Sequence, residues 1–443
     1  MSKKIPLKDL CIEDEWGKYG IPASAEEYAS DKTRYLRITD ISEDGELLNN
    51  DKKSVSAPDI EKYLLQEGDI VFARTGNSTG KSYYHEEKNG KLAFAGFLIK
   101  YSLDKTKVNP KYVKFFTITN EYKNWVKNLS VGSTRGNINA QTFGDCPISV
   151  PERKQQELLV RTLSLIIDKI ELNNRINAEL EAMAKTLYDY WFVQFDFPTP
   201  SPSGRAGVGL PYKTSGGKMV WNEELKREVP EGWEVKKIGK ILKTSLGGTP
   251  STKVKEYWEN GKISWLNSGE IANFPIIDSE LKITEAAIKN SATNLLPKGS
   301  VMLSITRHLR PSILGIDACA NQSVLGILEN GDIKCYFLYP YLQNEIPRLM
   351  EMRSGAQQPH INKEIVDMSL ILIPNNQTDI LKKYNAVVGH FYDSIINKAF
   401  QNQKLTELRD WLLPMLMNGQ VKVKDEKETE LSMAAEPKIK YGK

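Results

Sequence analysis

Two stretches of the chain repeat apolar residues at every third or fourth position, which is typical of helices that bury one narrow stripe. From Leu159 to Trp191, eight of the ten stripe positions are apolar, and seven of ten are apolar from Tyr384 to Leu416, 225 residues later. A stripe this narrow and sustained favours two long helices that pack on each other. The alternative is that each helix packs only on its own domain.

The stripe is interrupted at the same place in both copies, where Asn177 of the first aligns with Asn402 of the second. An asparagine in a helix seam costs stability but fixes the register of the pair. We expect Pro414 to end the second helix after Leu413, because proline has no backbone N–H to donate. The predicted positions for the helix seam and for partner docking are Leu159, Leu163, Ile166, Ile170, Asn177, Leu180, Leu187, Val388, Phe391, Ile395, Asn402, Leu405 and Leu412.

Other segments recur at nearly the same separation. Residues 65–71 match 296–302 at an offset of 231, and residues 132–139 match 355–362 at an offset of 223. The strand-like run 148–151, which precedes the first helix, matches 371–374 at the same offset of 223. A period of this length exceeds that of solenoid repeats, so the pattern indicates a tandem duplication of a whole domain.

These patterns divide the 443 residues into six segments. Twelve of the 21 residues from Pro198 to Lys218 are Pro, Gly or Ser, which is typical of a linker or an irregular surface loop. We predict a first domain over 1–152, a long helix over 153–195, a linker over 196–230, a second domain over 231–375, a second long helix over 376–418 and a charged, disordered tail over 419–443.

Composition places the chain among soluble globular proteins, with 40% hydrophobic and 26% charged residues. No apolar run approaches the ~18 residues of a membrane span, and the acidic start does not resemble a signal peptide. The cysteines Cys11, Cys146, Cys319 and Cys335 are scattered and form no C-x-x-C pair. We therefore predict reduced thiols, no metal site and a cytoplasmic location.

Charge is unevenly distributed, although the whole chain carries only +4. Residues 1–69 contain 10 basic and 16 acidic side chains, a net of −6, whereas residues 70–144 contain 12 basic and 4 acidic, a net of +8. A locally basic stretch in a nearly neutral chain suggests a docking face for a polyanion. The alternative is a solvated, lysine-rich surface.

Two motifs resemble enzyme sites but fit them poorly. Residues 76–82 have three residues between their glycines, where a nucleotide-binding Walker A loop needs four, so we interpret them as a polar turn. Asp59, Glu86 and Lys88 formally match a metal-dependent nuclease pattern, but such loose matches are common in a chain this charged. The four histidines lack the spacing of metal ligands. The residues therefore predict a protein that is not an enzyme on its own.

The loops of both halves are instead rich in side chains that read DNA. Arginine pairs with guanine and asparagine or glutamine with adenine, at ~1–3 kcal/mol of discrimination each, while Ser, Thr and Lys suit phosphates. Aligned positions that differ, such as Arg37 against Asn267, are expected to read different half-sites, whereas the shared Asn139 and Asn362 are expected to set structure. The candidate DNA-binding residues are Arg37, Arg74, Thr75, Asn77, Lys81, Ser133, Thr134, Arg135, Asn137, Asn267, Arg307, Arg310, Gln357, Gln358 and His360.

Short motifs run through nearly the whole chain in a fixed order, at 68–76, 132–139, 148–157, 211–221, 230–233, 246–250, 321–322, 355–362 and 408–414. Each motif is loose, but their order is specific. Together they resemble the specificity (S) subunit of a type I restriction–modification system. The resemblance leaves out only the tail of the chain. The first half departs from the pattern in one respect, because residues 16–32 stand where the second half has its Gly-Trp and Leu-Gly-Gly-Thr-Pro start, so the resemblance supports residue assignments least before Tyr35.

The resemblance implies an α+β fold, in which two similar mixed α/β target-recognition domains are joined by two long antiparallel coiled-coil helices in a pseudo-two-fold, circular arrangement. Each domain would read one half of a bipartite, asymmetric site in double-stranded DNA. The helices would dock two methyltransferase (modification) subunits, which use S-adenosylmethionine to methylate adenine. Restriction subunits would add cleavage that depends on ATP and Mg. The chain itself would be non-catalytic, bind no cofactor and have no membrane partner.

Two other functions stay open at the level of the sequence. One is a metal-dependent nuclease that acts alone through Asp59, Glu86 and Lys88. The other is a scaffold whose helices bind only protein partners.

Overall fold

The computed structural model describes residues 3–130, 137–199, 209–306, 309–353, 360–375 and 379–421. The chain forms two compact units. The first comprises Met1–Lys169 and Leu405–Lys443, and the second comprises Ile170–Lys404.

The first unit is built mainly from strands. Its strands are β1 (Lys3–Pro6), β2 (Cys11–Tyr19), β3 (Glu26–Glu27), β4 (Thr33–Leu36), β5 (Lys53–Val55), β6 (Asp69–Ala73), β7 (Ser82–Tyr84), β8 (Leu92–Phe94), β9 (Leu98–Leu103) and β10 (Pro147–Val150). Its helices are α1 (Pro110–Phe116), α2 (Asn120–Ser130), α3 (Ala140–Gly144) and the first part of α4 (Arg153–Tyr188).

Three sheets organise this unit. One has the antiparallel order β2-β9-β6-β7, and another has the order β3-β5-β4-β8, in which β4 and β8 are parallel. The short pair β1-β10 closes the domain just before α4. Every residue of β6 and β9 is buried, which explains the continuous apolar run of β6 after Asp69. β9 also buries two polar residues, Lys100 and Ser102, and Nζ of Lys100 lies 3.5 Å from Oδ2 of Asp69.

The second unit has the same plan. Its strands are β11 (Met219–Asn222), β12 (Arg227–Pro230), β13 (Glu234–Lys237), β14 (Thr244–Leu246), β15 (Ile263–Leu266), β16 (Leu281–Ile283), β17 (Val301–Ser304), β18 (Arg310–Ile313), β19 (Ala318–Ala320), β20 (Val324–Ile327) and β21 (Leu370–Ile373). Its helices are α5 (Ile238–Ile241), α6 (Glu285–Asn290), α7 (Cys335–Glu351), α8 (Lys363–Asp367) and the first part of α9 (Ile380–Met417).

The sheets of the second unit repeat those of the first. The order β14-β20-β17-β18 corresponds to β2-β9-β6-β7, and the order β16-β15-β19, with β15 and β19 parallel, corresponds to β5-β4-β8. The pair β13-β21 corresponds to β1-β10. The predicted fold class, two similar mixed α/β domains with long helices, is confirmed.

Each long helix begins in one unit and ends in the other. A single π-helical turn, Asp189–Val193, continues α4. The expectation that Pro414 ends the second helix is wrong, because α9 runs through it to Met417. In the last turn proline removes a single N–H donor, and its own carbonyl still accepts from the Asn418 N–H at 3.0 Å. The buried side chains of Leu413 and Leu416, on either side of Pro414, hold that turn in place.

The two long helices pair antiparallel within each unit. In the second unit the Asn173 amide donates to Oδ1 of Asn402 at 2.8 Å, and the Asn177 amide donates to the Ile395 carbonyl at 3.3 Å. In the first unit Leu159 and Leu163 share a buried cluster with residues from the end of α9. The helices therefore pack on each other, as the narrow stripe predicted, and also on the domains at their ends.

The Pro/Gly/Ser-rich segment between the halves contains ordered structure. β11 and β12 form a hairpin inside the predicted linker. Phe197 stacks on Tyr212 at 4.7 Å between ring centroids and on Trp233 at 5.3 Å. The described part of this segment is therefore packed against the second domain rather than acting as a free tether.

The four cysteines are buried and have free thiols, and burial raises the pKa of the Cys11 thiol to about 12. Within the described ranges, no helix combines the length and apolar character needed to cross a bilayer.

Candidate nucleic-acid interface

The most clearly built polar site of the first unit lies where β6 ends. The guanidinium of Arg74 sits over the ring of Tyr19, 4.9 Å from its centroid. Nε and Nη2 of Arg74 each lie 3.4 Å from Oδ1 of Asn137. These contacts with the Tyr19 ring and the Asn137 amide hold the half-buried guanidinium of Arg74 in one orientation.

Backbone pairing fixes this site. Thr75 forms an isolated antiparallel bridge with Asn137, and the Ile138 N–H donates to the Arg74 carbonyl at 3.0 Å. Asn139 then caps α3, because its side chain accepts from the Thr142 N–H at 2.8 Å. The buried strand β6 and the capped helix α3 therefore hold Arg74 and Asn137 side by side.

The second unit has the same backbone arrangement with different side chains. Thr306 bridges His360, and the Ile361 N–H donates to the Ile305 carbonyl at 3.0 Å. Asn362 caps α8 by accepting from the Ile365 N–H at 2.9 Å. Hence Ile305 takes the place of Arg74, and His360 takes the place of Asn137. The shared asparagines Asn139 and Asn362 have the structural role expected of them.

Arg37 and Asn267 also occupy equivalent places. Arg37 caps the 3-10 turn Ile38–Asp40, and Asn267 lies two residues before Gly269, which caps the 3-10 turn Glu270–Ala272. In both places the backbone N–H donates at 2.8 Å to the acidic side chain three residues later, Asp40 or Glu270. The Arg37 guanidinium is 2.6 Å from Asp40 and 3.2 Å from Asp51, and its hydrogen bond to Asp51 lowers the pKa of that carboxyl. Any contact between Arg37 and DNA requires these ion pairs to open, so its role in reading DNA stays a prediction.

The remaining candidates are exposed, already bonded within the protein, or outside the described residues. Asn77 and Arg310 are exposed. Lys81 pairs with Glu43 at 2.8 Å between Nζ and Oε1, and the Asn267 side chain accepts from two backbone N–H groups. Other candidates lie outside the described residues, namely Ser133, Thr134, Arg135, Arg307, Gln357 and Gln358.

The predicted seam positions lie on the inner sides of the helix pair. Leu159, Leu163, Ile166, Val388 and Ile395 are buried. The others are half-buried, namely Ile170, Asn177, Leu180, Leu187, Phe391, Asn402, Leu405 and Leu412. The sequence aligned Asn402 with Asn177 but predicted no hydrogen-bond partner for it. In the structure its direct partner is the fully buried Asn173.

The sequence motifs that resemble enzyme sites have structural roles. Gly76–Ser78 form a 3-10 turn that leads into β7, whereas a phosphate loop leads into a helix. Asp59 pairs with Lys62 at 2.9 Å, and Glu86 pairs with Lys111 at 2.6 Å. Across the described residues, no group of three or more His, Cys, Asp or Glu side chains is placed to hold a metal ion.

Two features of this region could not be foreseen from the sequence. Tyr19 under Arg74 comes from β2, and Glu43 beside Lys81 comes from a turn between β4 and β5. Both contacts join residues far apart in the chain, and no spacing rule links them. Only the net +8 of residues 70–144 hinted that the surface near Lys81 carries excess positive charge.

Comparison with known proteins agrees with this architecture. The family model described as "Type I restriction modification DNA specificity domain" matches residues 2–182 and again 230–407. The MjaIX specificity subunit of a type I restriction enzyme from Methanocaldococcus jannaschii is 27% identical, over 73% of this chain and 72% of that protein. The HindI specificity subunit from Haemophilus influenzae is 21% identical, over 82% of this chain and 89% of that protein.

A solved structure shows the same fold. The S subunit of a type I restriction–modification system from M. genitalium superposes with a TM-score of 0.54 at 15% identity, covering 94% of this chain and 96% of that one. The family match falls on both halves of the duplication and covers most of the chain. This protein therefore belongs to the family of type I restriction–modification DNA specificity domains.

Proposed function

We propose that this chain is the non-catalytic, sequence-reading subunit of a type I restriction–modification complex, and that each half reads one part of a bipartite, asymmetric DNA site. The observation that carries this proposal is the repeated backbone bridge with exchanged side chains. In the first half this arrangement presents Arg74 and Asn137, whereas in the second half Ile305 is buried in the core and only His360 is exposed. Two copies of one scaffold with different side chains at the same place suit the reading of two different half-sites.

The chemistry of these side chains supports different targets for the two halves. The guanidinium of Arg74 can donate twice to guanine, and the amide of Asn137 can pair with adenine. The side chain of Ile305 is buried, so at this place the second half offers the exposed imidazole of His360, which can donate or accept a hydrogen bond. The first half therefore suits contacts to guanine and adenine, and the second suits a single hydrogen bond to a base edge.

The helices would dock the methyltransferase subunits through exposed apolar side chains. Within the second unit, Met183 of α4 is 54% exposed, and Tyr190 of the π-helical turn that continues α4 is 38% exposed. The 225-residue offset maps Met183 onto Leu408 of α9, which is 42% exposed in the first unit beside Trp411, 57% exposed. Met and aromatic side chains are enriched at the centres of protein interfaces. Equivalent apolar surfaces at two places suit two copies of one partner.

In such a complex the partner subunits would supply the chemistry. The methyltransferase subunits would carry S-adenosylmethionine and methylate adenine at the site that this chain selects. Restriction subunits, where present, would use ATP and Mg. The chain itself would contribute the choice of sequence and the docking surfaces.

Exchange of one domain tests this proposal. Residues 234–373, from β13 to β21, are replaced by the equivalent domain of a relative, and the methylated sites of the hybrid complex are mapped. One half of the recognised site should change while the other half is retained. A hybrid in which both halves change, or neither does, would contradict the division of labour between the domains.

A further inference from the structure

An open cavity of about 440 Å³ lies in the first unit beside the turn that follows Arg74. Its walls are residues 76–82 on one side and one face of α2 on the other. Three lysines line it, Lys81 from the turn and Lys123 and Lys127 from α2. Its volume lies within the range of clefts that bind small ligands or ligand groups.

The turn and α2 are locked together, so the lysines have a fixed spacing. Gly80 has a positive φ of +89°, and a Cβ at this position would lie 2.5 Å from a methyl group of Val126. The Tyr122 hydroxyl donates to the Gly80 carbonyl at 2.8 Å. Ser82 donates to Thr117 at 2.8 Å and ties the start of β7 to the segment that leads into α2. The cavity is therefore formed before any ligand arrives.

The charges of the cavity are unbalanced. Lys123 and Lys127 are one helical turn apart on the exposed side of α2, and among the described residues neither forms an ion pair. Like charges at this spacing destabilise a helix unless an anion lies between them. Lys81 alone has an acidic partner, Glu43, at 2.8 Å.

Glu43 is held over the cavity by its own turn. The neighbouring Asp44 accepts from the Arg409 guanidinium at 3.0 Å. Gly45, with a φ of +77°, packs so closely on β7 that a Cβ would lie 2.9 Å from the Ser82 carbonyl oxygen. The carboxylate of Glu43, itself 80% exposed, thus places an anionic oxygen on Lys81 from outside.

We propose that this cavity binds a phosphate of the DNA backbone, and that Glu43 occupies Lys81 until the phosphate displaces it. The inference rests on the proposed function, because the anion is a phosphate of the DNA that Arg74 and Asn137 read. A carboxylate and a phosphate present equivalent oxygen acceptors to a lysine ammonium group. Such a contact sets the position of the domain on the duplex and carries no sequence information.

The test measures DNA affinity of the full chain as a function of salt, with a duplex that carries the methylated site and with a random duplex. The triple variant Lys81→Gln, Lys123→Gln and Lys127→Gln should weaken binding to both duplexes by the same factor. The slope of log affinity against log salt should fall in magnitude by about 0.9 for each lysine that contacts a phosphate. Lys91→Gln, an exposed lysine outside the cavity, serves as the control and should leave the slope unchanged.

Glu43→Gln should act in the opposite direction. Removing the competing carboxylate should tighten binding to both duplexes by about twofold to fivefold, the range expected for loss of one exposed ion pair. Glu27→Gln is the matched control, because Glu27 pairs with Lys53 at the same distance of 2.8 Å outside the cavity. Thermal melting of each variant confirms that the fold is retained.

The outcomes separate the cavity from the function. If the triple variant leaves the salt slope and the affinity unchanged, the cavity does not bind a phosphate. If it weakens binding only to the duplex with the methylated site, the lysines read bases, and the phosphate site is likewise overturned. Unchanged affinity in Glu43→Gln would overturn the role of Glu43. A wild-type chain that does not distinguish the two duplexes would contradict the proposed function, while the slopes would still test the cavity.

Discussion

At the scale of single residues, the two halves share the side chains that stabilise the backbone and differ in side chains beside the polar site. Asn139 and Asn362 are shared, and each caps the helix that follows the polar site. Arg74 and Ile305 occupy equivalent backbone positions but share no chemistry. Residues that are the same in both halves and support the backbone therefore lie within a few residues of positions where the two halves differ.

The sequence predicted the first group better than the second. Because Asn139 and Asn362 are shared by the two halves, the sequence indicated a structural role for them, and a helix cap is a local contact of that kind. The partners of Arg37 and Lys81 depend on which turns the fold brings together, and the sequence could not foresee that Asp40, Asp51 and Glu43 would hold these cations.

Arg74→Ala is expected to relax the choice of base at one position in one half of the DNA site. The lost contact should cost ~1–3 kcal/mol of discrimination there, because a bidentate arginine contact reads guanine against the other bases. His360→Ala should relax the other half and leave the first unchanged. Competition binding with duplexes substituted at each position measures both effects.

Loss of discrimination in both halves from either single substitution would contradict the assignment of one half-site to each domain. Lys91→Ala is the control, since it removes an exposed cation of the first unit outside the polar site.

At the scale of secondary structure elements, the heptad stripe predicted both long helices and their pairing, because burial of a narrow apolar stripe leaves few other arrangements. The polar layer within the seam is richer than the sequence indicated. Asn173 donates to both Gln401 and Asn402 at 2.8 Å, and Asn402 donates to Asn174 at 2.7 Å. Side-chain amides at these positions can satisfy one another only in one register.

Asn173→Ala is expected to lower the free energy of unfolding by about 1–2 kcal/mol, because it removes the two hydrogen bonds that the buried Asn173 amide donates to the exposed Gln401 and the half-buried Asn402. The double variant Asn173→Leu and Asn402→Leu should recover stability, since paired apolar side chains replace paired polar ones. Chemical denaturation measures both.

Asn177→Ala is the matched control. Its single bond to the Ile395 carbonyl is longer, at 3.3 Å, and it should cost less than Asn173→Ala. Equal stability of the wild type and Asn173→Ala would show that the amide layer does not stabilise the register.

Met183→Glu and Leu408→Glu test the two proposed docking surfaces separately. A buried, unpaired carboxylate at the centre of an interface is strongly unfavourable, so each variant should lose one of two methyltransferase copies and retain the other. Native mass spectrometry of the co-expressed complex counts the copies. Retention of both copies in each variant would place the docking surface elsewhere.

At the scale of the whole molecule, the repeated offsets near 223 and 231 predicted a domain duplication, and the sheets confirm it. The sequence hid the equivalence at the start of each half, where motifs present in the second are missing from the first. In the first half β1 pairs with β10 and β2 pairs with β9. In the second half β13 pairs with β21 and β14 pairs with β20, in the same arrangement. Backbone pairing of edge strands tolerates many sequences, so this equivalence leaves little trace in residue identity.

The packed segment between the halves was harder to predict for a different reason. Its Pro, Gly and Ser content indicated a linker, yet Val229 of the hairpin β11-β12 is buried in the core of the second domain. Tyr212 stacks on Phe197, which in turn stacks on Trp233. Composition averages over many residues, whereas a few large side chains decide whether such a segment packs.

The central claim is that this chain directs adenine methylation to a site with two separately read parts. The most direct test is to co-express the chain with a methyltransferase subunit of a type I system in a host without adenine methylation and to map the modified adenines by single-molecule sequencing. The account predicts modified adenines within an asymmetric motif of two short sequences separated by a fixed, unread spacer. An intact complex that methylates no site, or one continuous motif without a spacer, would contradict it.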